Sequence, residues 1–123
     1  MNAAELAILQ LAQTRAAVET LSHQIGEALG GCEAQQLRET SQNTAAHLKD
    51  AYAILRDDDG DAYYVNHDGD AGAYLSTVCP HCRDAHDAIQ ERKLAKKQYG
   101  IAKRRVSLMG TRMLKAKATG ATA

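Results

Sequence analysis

The sequence predicts an all-α, mainly helical protein. It should hold a helical hairpin and a long basic C-terminal helix, stapled by one structural zinc, with an acidic irregular loop between them. Three observations carry this prediction. The chain of 123 residues has no Phe or Trp and a single Pro, and a core built on Ala and Leu belongs to helices. Apolar residues recur every seven positions in two long segments, as one face of a helix requires. Finally, the three cysteines include a Cys-x-x-Cys pair at zinc-ligand spacing.

Residues 3–29 form the first element. Ala4, Leu11, Val18 and Ile25 lie seven apart, with Leu21, Ala28 and Leu29 on the same face. Gly30-Gly31 then closes the helix, and Cys32 follows at once. Leu37, Leu48, Ala51, Tyr52 and Leu55 extend helical spacing over 33–56, with a break or a fresh N-cap at Ser41 inside the polar run 39–44. Residues 1–56 therefore read as an antiparallel hairpin.

Residues 57–78 read as the acidic loop. Asp-Gly pairs mark turns, and Tyr63-Tyr64-Val65 fits a short strand. A calcium loop fails here, because Gly60 precedes Asp61 where the calcium pattern needs the reverse order.

The last helix, over 79–117, starts with Cys79 as cap and Pro80 in the first helical position. Ala88, Ala95, Ala102 and Met109 keep the seven-residue step, as do Tyr99, Val106 and Met113. Ile89, Leu94, Ile101 and Leu108 widen the stripe. Residues 118–123 read as a flexible tail. Residues 1–117 are thus expected to make one zinc-stabilised domain. The heptad stripes suit a three-helix monomer and a homodimer alike.

A formal net charge of zero conceals two opposite halves. Residues 1–82 hold 4 Lys/Arg against 12 Asp/Glu, and residues 83–123 hold 11 against 3. No apolar run reaches the roughly 18 residues of a membrane span, and the start MNAAELAILQ lacks the basic region of a signal peptide. The expected location is the cytoplasm, where the cysteines stay reduced.

The stretch VCPHCRDAHD (78–87) admits three chemistries. A thiol-disulfide oxidoreductase would place Cys79 and Cys82 after a central strand and hold a second, cis proline opposite them, and the sequence has neither. A c-type haem needs His directly after the second cysteine, where Arg83 stands. Zinc fits. Cys79 and Cys82 are spaced to share one ion, and His86 lies one helical turn beyond Cys82. Cys32 then completes a Cys3His set, with His81 as the alternative to His86. Four protein ligands make the site structural rather than catalytic. His23, His47 and His67 show no ligand spacing and read as solvated or hydrogen-bonded.

The final helix also concentrates cations: Arg92, Lys93, Lys96, Lys97, Lys103, Arg104, Arg105 and Arg112. Such a face binds nucleic acid through phosphates, although no base-reading motif accompanies it. The alternatives are packing against the acidic half and binding of another protein.

The run YLSTVCPHCRDAHDAIQERKLAKKQYGIAKRRVSLMG (74–110) resembles the C-terminal part of small zinc-binding proteins encoded by bacteriophages and prophages. The resemblance rests on Cys79, Pro80, His81, Cys82, Ala85, His86, Arg92, Lys93 and the Lys-Arg-Arg at 103–105, in about a third of the chain. It implies a phage accessory protein with zinc at Cys79, Cys82 and His86 in a bacterial host cell. The expected function is then non-enzymatic nucleic-acid binding or regulation. The runner-up is an inhibitor of a host transcription or anti-phage defence complex, in the manner of an anti-CRISPR, and a disulfide exchanger comes third.

Overall fold

The computed structural model describes residues 1–32 and 46–119. In chain order these form α1 (Ala3–Gly30), α2 (Ala46–Tyr52), β1 (Ile54–Arg56), β2 (Ala62–Tyr64), α3 (Ala71–Val78) and α4 (Pro80–Ala118). The protein is mainly helical and ends in a 39-residue helix, as its periodicity predicts. Within the span expected as one domain, the chain divides into two compact units. One comprises Met1–Thr20 with Glu91–Ala123, and the other Leu21–Gln90.

In the first unit the early turns of α1 lie antiparallel to the later turns of α4. Ala4, Ala7 and Ile8 share a cavity wall with Val106, Met109 and Met113, whereas the later residues Leu11 to Glu19 face Tyr99. Asn2 starts α1 by accepting the Glu5 N–H on its side chain at 2.8 Å, which satisfies one of the donors that a helix start leaves without a partner. Ala7, Ala95 and Ala102 are buried. Ala95 and Ala102 lie on the predicted seven-residue stripe of α4, and the small side chains of all three alanines bring the two backbones close together.

The second unit contains the core. Cys32, Leu48, Ala51, Leu75, Cys79, Cys82 and Ala85 form one buried cluster, with Ala28, Leu29, Ala71, Tyr74 and Ile89 packed around it. Only Leu48 and Leu75 are large aliphatic side chains. A core this small is short of the apolar area that stabilises a fold by itself.

The hairpin's expected second limb, 33–56, falls partly on residues 33–45, outside the described residues. Within the rest, the helix ends at Tyr52, and Ile54–Arg56 is a strand rather than its continuation. β1 pairs antiparallel with β2, Ile54 opposite Tyr64 and Arg56 opposite Ala62. The Asp57 carboxylate makes the turn, accepting the N–H groups of Asp59 at 3.0 Å and Asp61 at 2.9 Å. Gly60 takes the left-handed conformation, φ +84°, that a residue with a side chain resists.

The acidic stretch 57–78 is therefore more ordered than a loop, and its last part is α3. The sequence hides this helix because AGAYLSTV is rich in weak helix formers. A local cap and a buried side chain make it. Asp70 caps it by accepting the Ala73 N–H at 2.9 Å, and Leu75 is fully buried. At the other end of the chain, α4 runs to Ala118, one residue into the expected tail, and residues 120–123 lie outside the described residues.

Candidate metal centre

Three elements of the second unit bring four donor atoms together. Cys32 follows the end of α1, where its N–H bonds the Leu29 carbonyl at 3.1 Å. His47 lies in the first turn of α2, beside the core residue Leu48. Cys79 joins α3 to α4: its N–H bonds the Leu75 carbonyl at 2.8 Å, and its carbonyl accepts from Arg83 at 3.0 Å. Pro80 can occupy the first helical position because no N–H is needed there, and Cys82 follows within the first turn. The positive end of the α4 dipole favours thiolates at both cysteines.

The sulfurs of Cys32, Cys79 and Cys82 and a ring nitrogen of His47 all lie within 4.8 Å of one another. His47 Nδ1 stands 3.4 Å from the Cys32 sulfur and 3.5 Å from that of Cys82. A tetrahedral ion with metal–sulfur bonds of about 2.3 Å and metal–nitrogen bonds of about 2.0–2.1 Å sets N···S edges of roughly 3.6 Å. The group has the dimensions of a metal site and can hold an ion. All three cysteines are buried. Burial pushes the Cys82 thiol well above its ordinary range, and hydrogen bonding and charge from Cys32 and Cys79 push it further. A divalent cation among the sulfurs reverses that balance and draws the protons off.

Cys32, Cys79 and Cys82, expected as ligands from the sequence, are three of these four donors; the fourth is His47, and His86 lies outside the group. α2 lies beside the start of α4 and meets it at two successive turns. His47 reaches Cys82, and Tyr52 reaches His86, with 2.5 Å between the Tyr52 hydroxyl and His86 Nδ1. His86 does stand one turn beyond Cys82, as expected, but Tyr52 meets it there.

His81, the alternative ligand, is also outside the group. Its ring lies over Gly31, where an added Cβ would come 2.7 Å from His81 Nδ1. His23 pairs with Glu27 on the surface at 3.0 Å. His67 is hydrogen-bonded through both nitrogens: Nδ1 accepts from the Gly69 N–H at 3.1 Å, so Nε2 carries the proton and donates to the Ala51 carbonyl at 2.7 Å.

A weak signal for His47 does exist in the sequence. A Cys-x-x-Cys supplies two ligands, and a second segment often supplies the other two. Cys32 and His47 are such a pair, with the apolar residues Leu48 and Ala51 directly after His47 turning that helix toward the core.

The predicted basic residues all lie on α4. Lys93, Lys96, Lys97, Lys103, Arg104, Arg105 and Arg112 are exposed, and Arg92 is half-buried. Lys103 stands over the Tyr99 ring, 5.2 Å from its centre, and Arg105 donates to the Gln10 side chain at 2.5 Å. Ion pairs join Arg15 to Glu19, His23 to Glu27 and Arg83 to Asp87. The seven exposed cations just named take part in none of these three pairs.

No protein-family model, curated protein or solved structure matches this chain. No helix among the described residues is long and apolar enough to cross a membrane.

Proposed function

We propose that the chain is a non-enzymatic module held together by a structural zinc ion, and that its basic helix α4 binds nucleic acid. One observation carries the binding half of this reading: after Glu91 every charged residue of α4 is a cation, and most of them are exposed. Lysines and arginines held on a rigid helix displace counterions from a phosphate backbone at little ordering cost.

Zinc is the ion that suits three thiolates and an imidazole in a tetrahedral group. Four protein donors leave no open position for water or substrate, which favours a structural role. Disulfide exchange needs an accessible thiolate, and the burial of Cys79 and Cys82, 7% and 1% exposed, disfavours it. A phage or prophage accessory protein in the reducing cytoplasm of a bacterial host fits this reading, since thiols there stay available to zinc.

The test is a salt series of binding to duplex DNA and to RNA. Affinity should fall linearly on a log–log plot, and Lys103→Ala and Arg104→Ala should each lower the slope by about one. Absence of binding at low salt would remove the nucleic-acid reading.

A further inference from the structure

Helix α4 carries a second line of apolar residues that the packing of the first unit leaves uncovered. Leu94, Ile101 and Leu108 recur every seven residues and are 65%, 38% and 58% exposed. They lie about 100° around the helix from the buried line through Ala95 and Ala102. The stripe from Leu94 to Leu108 extends about 21 Å at 1.5 Å per residue, four turns of helix. Phosphates bind cations and make no use of such a stripe.

The surrounding charge identifies the kind of molecule that would cover it. Lys97, Arg104 and Arg112 border the stripe and are exposed. No acidic residue occurs in α4 after Glu91. A second copy of this face would set these cations against their own counterparts, and like charges beside an apolar seam exclude a partner. An amphipathic helix with apolar residues every seventh position and carboxylates on either side meets both requirements, since flanking charges select the partner of an apolar helix seam.

We propose that the Leu94–Ile101–Leu108 face of α4 is a docking surface for an acidic amphipathic helix of a partner protein. This goes beyond nucleic-acid binding and uses side chains that binding to phosphate does not.

The full chain, loaded with zinc, is titrated with three labelled probes. These are a 21-residue helical peptide with Leu every seventh position and Glu on both flanks, the same peptide with Lys for Glu, and a duplex DNA of mixed sequence. The acidic peptide should bind at least tenfold more tightly than the basic one. The triple variant Leu94→Gln, Ile101→Gln, Leu108→Gln keeps good helix formers at each position. It should lose at least tenfold in affinity for the acidic peptide, with unchanged helicity and unchanged binding of DNA. If the acidic peptide fails to bind, or binds the triple variant equally well, the proposal is overturned. A wild-type dimer that the triple variant abolishes would overturn it too, by making a second copy the occupant. Nucleic-acid binding is read separately from its salt slope, so either idea can fail alone.

Discussion

His47 and Cys32 meet across fifteen positions of sequence, with the imidazole Nδ1 3.4 Å from the sulfur. The contact joins the end of α1 to the start of α2, and through Cys82 the same nitrogen reaches α4. An ion held there ties three chain segments at one point. Because the apolar core beside it is small, its removal should be felt throughout the second unit.

The first prediction concerns metal retention. His47→Ala and Cys82→Ser should each weaken zinc binding by 100-fold or more, whereas His86→Ala should keep one equivalent. Competition with a chromogenic chelator measures all three. Stripping the metal from the wild type should lower its thermal midpoint, read by circular dichroism. Retention of one tightly held ion by His47→Ala would return the assignment to His86.

A second prediction tests the core itself. Leu75 is fully buried among Cys32, Leu48, Ala51, Cys79 and Cys82. Leu75→Ala should cost about 2–5 kcal/mol, the transfer free energy of the lost methyl groups with a cavity term added. Denaturant unfolding of the metal-loaded protein provides the measurement, and a loss under about 1 kcal/mol would show that the site collapses freely.

Gly31 and His81 should be coupled. A methyl group at Gly31 would stand 2.7 Å from His81 Nδ1 and 3.1 Å from Cγ, so the ring itself must shift. Gly31→Ala should destabilise the protein by about 1–3 kcal/mol through this crowding. His81→Ala in the same chain should recover most of that loss. A double-mutant cycle reads the coupling, and simple additivity would refute it.

Tyr52 predicts an alkaline limit. Burial raises its phenol above the ordinary range, and the nearby Tyr64 and Asp87 raise it further. The folded protein thus holds this proton more tightly than the unfolded chain does. Its contribution to stability is complete below the unfolded value of about 10 and is lost as pH rises through the folded one. Tyr52→Phe should flatten that alkaline decline in unfolding experiments above about pH 9, and an unchanged profile would assign the decline to other groups.

Much of the helical scaffold was legible because its signals are periodic and local. The stripes of α1 and α4 repeat over many turns, Gly30-Gly31 and Pro80 mark their ends, and Cys79-x-x-Cys82 lies within one turn of helix. Alanines at 88, 95 and 102 are buried where the seven-residue step put them. By contrast, α3 and the strand Ile54–Arg56 are too short to show a period. They exist because Asp70 and Asp57 satisfy backbone N–H groups and because Leu75 and the partner strand supply contacts from outside the segment.

The same difference separates the halves of the metal centre. Sequence alone determined that Cys79 and Cys82 share an ion-sized space, since two residues on one turn of a helix cannot lie far apart. It also determined that α4 is basic from Arg92 onward. The choice of histidine was tertiary. His86 and His47 have the same donor chemistry, and what distinguishes them is the placement of α2, which sets His47 against the sulfurs and Tyr52 against His86. That placement depends on how Leu48 and Ala51 pack on Leu75, a contact between residues more than twenty positions apart, which no local spacing records.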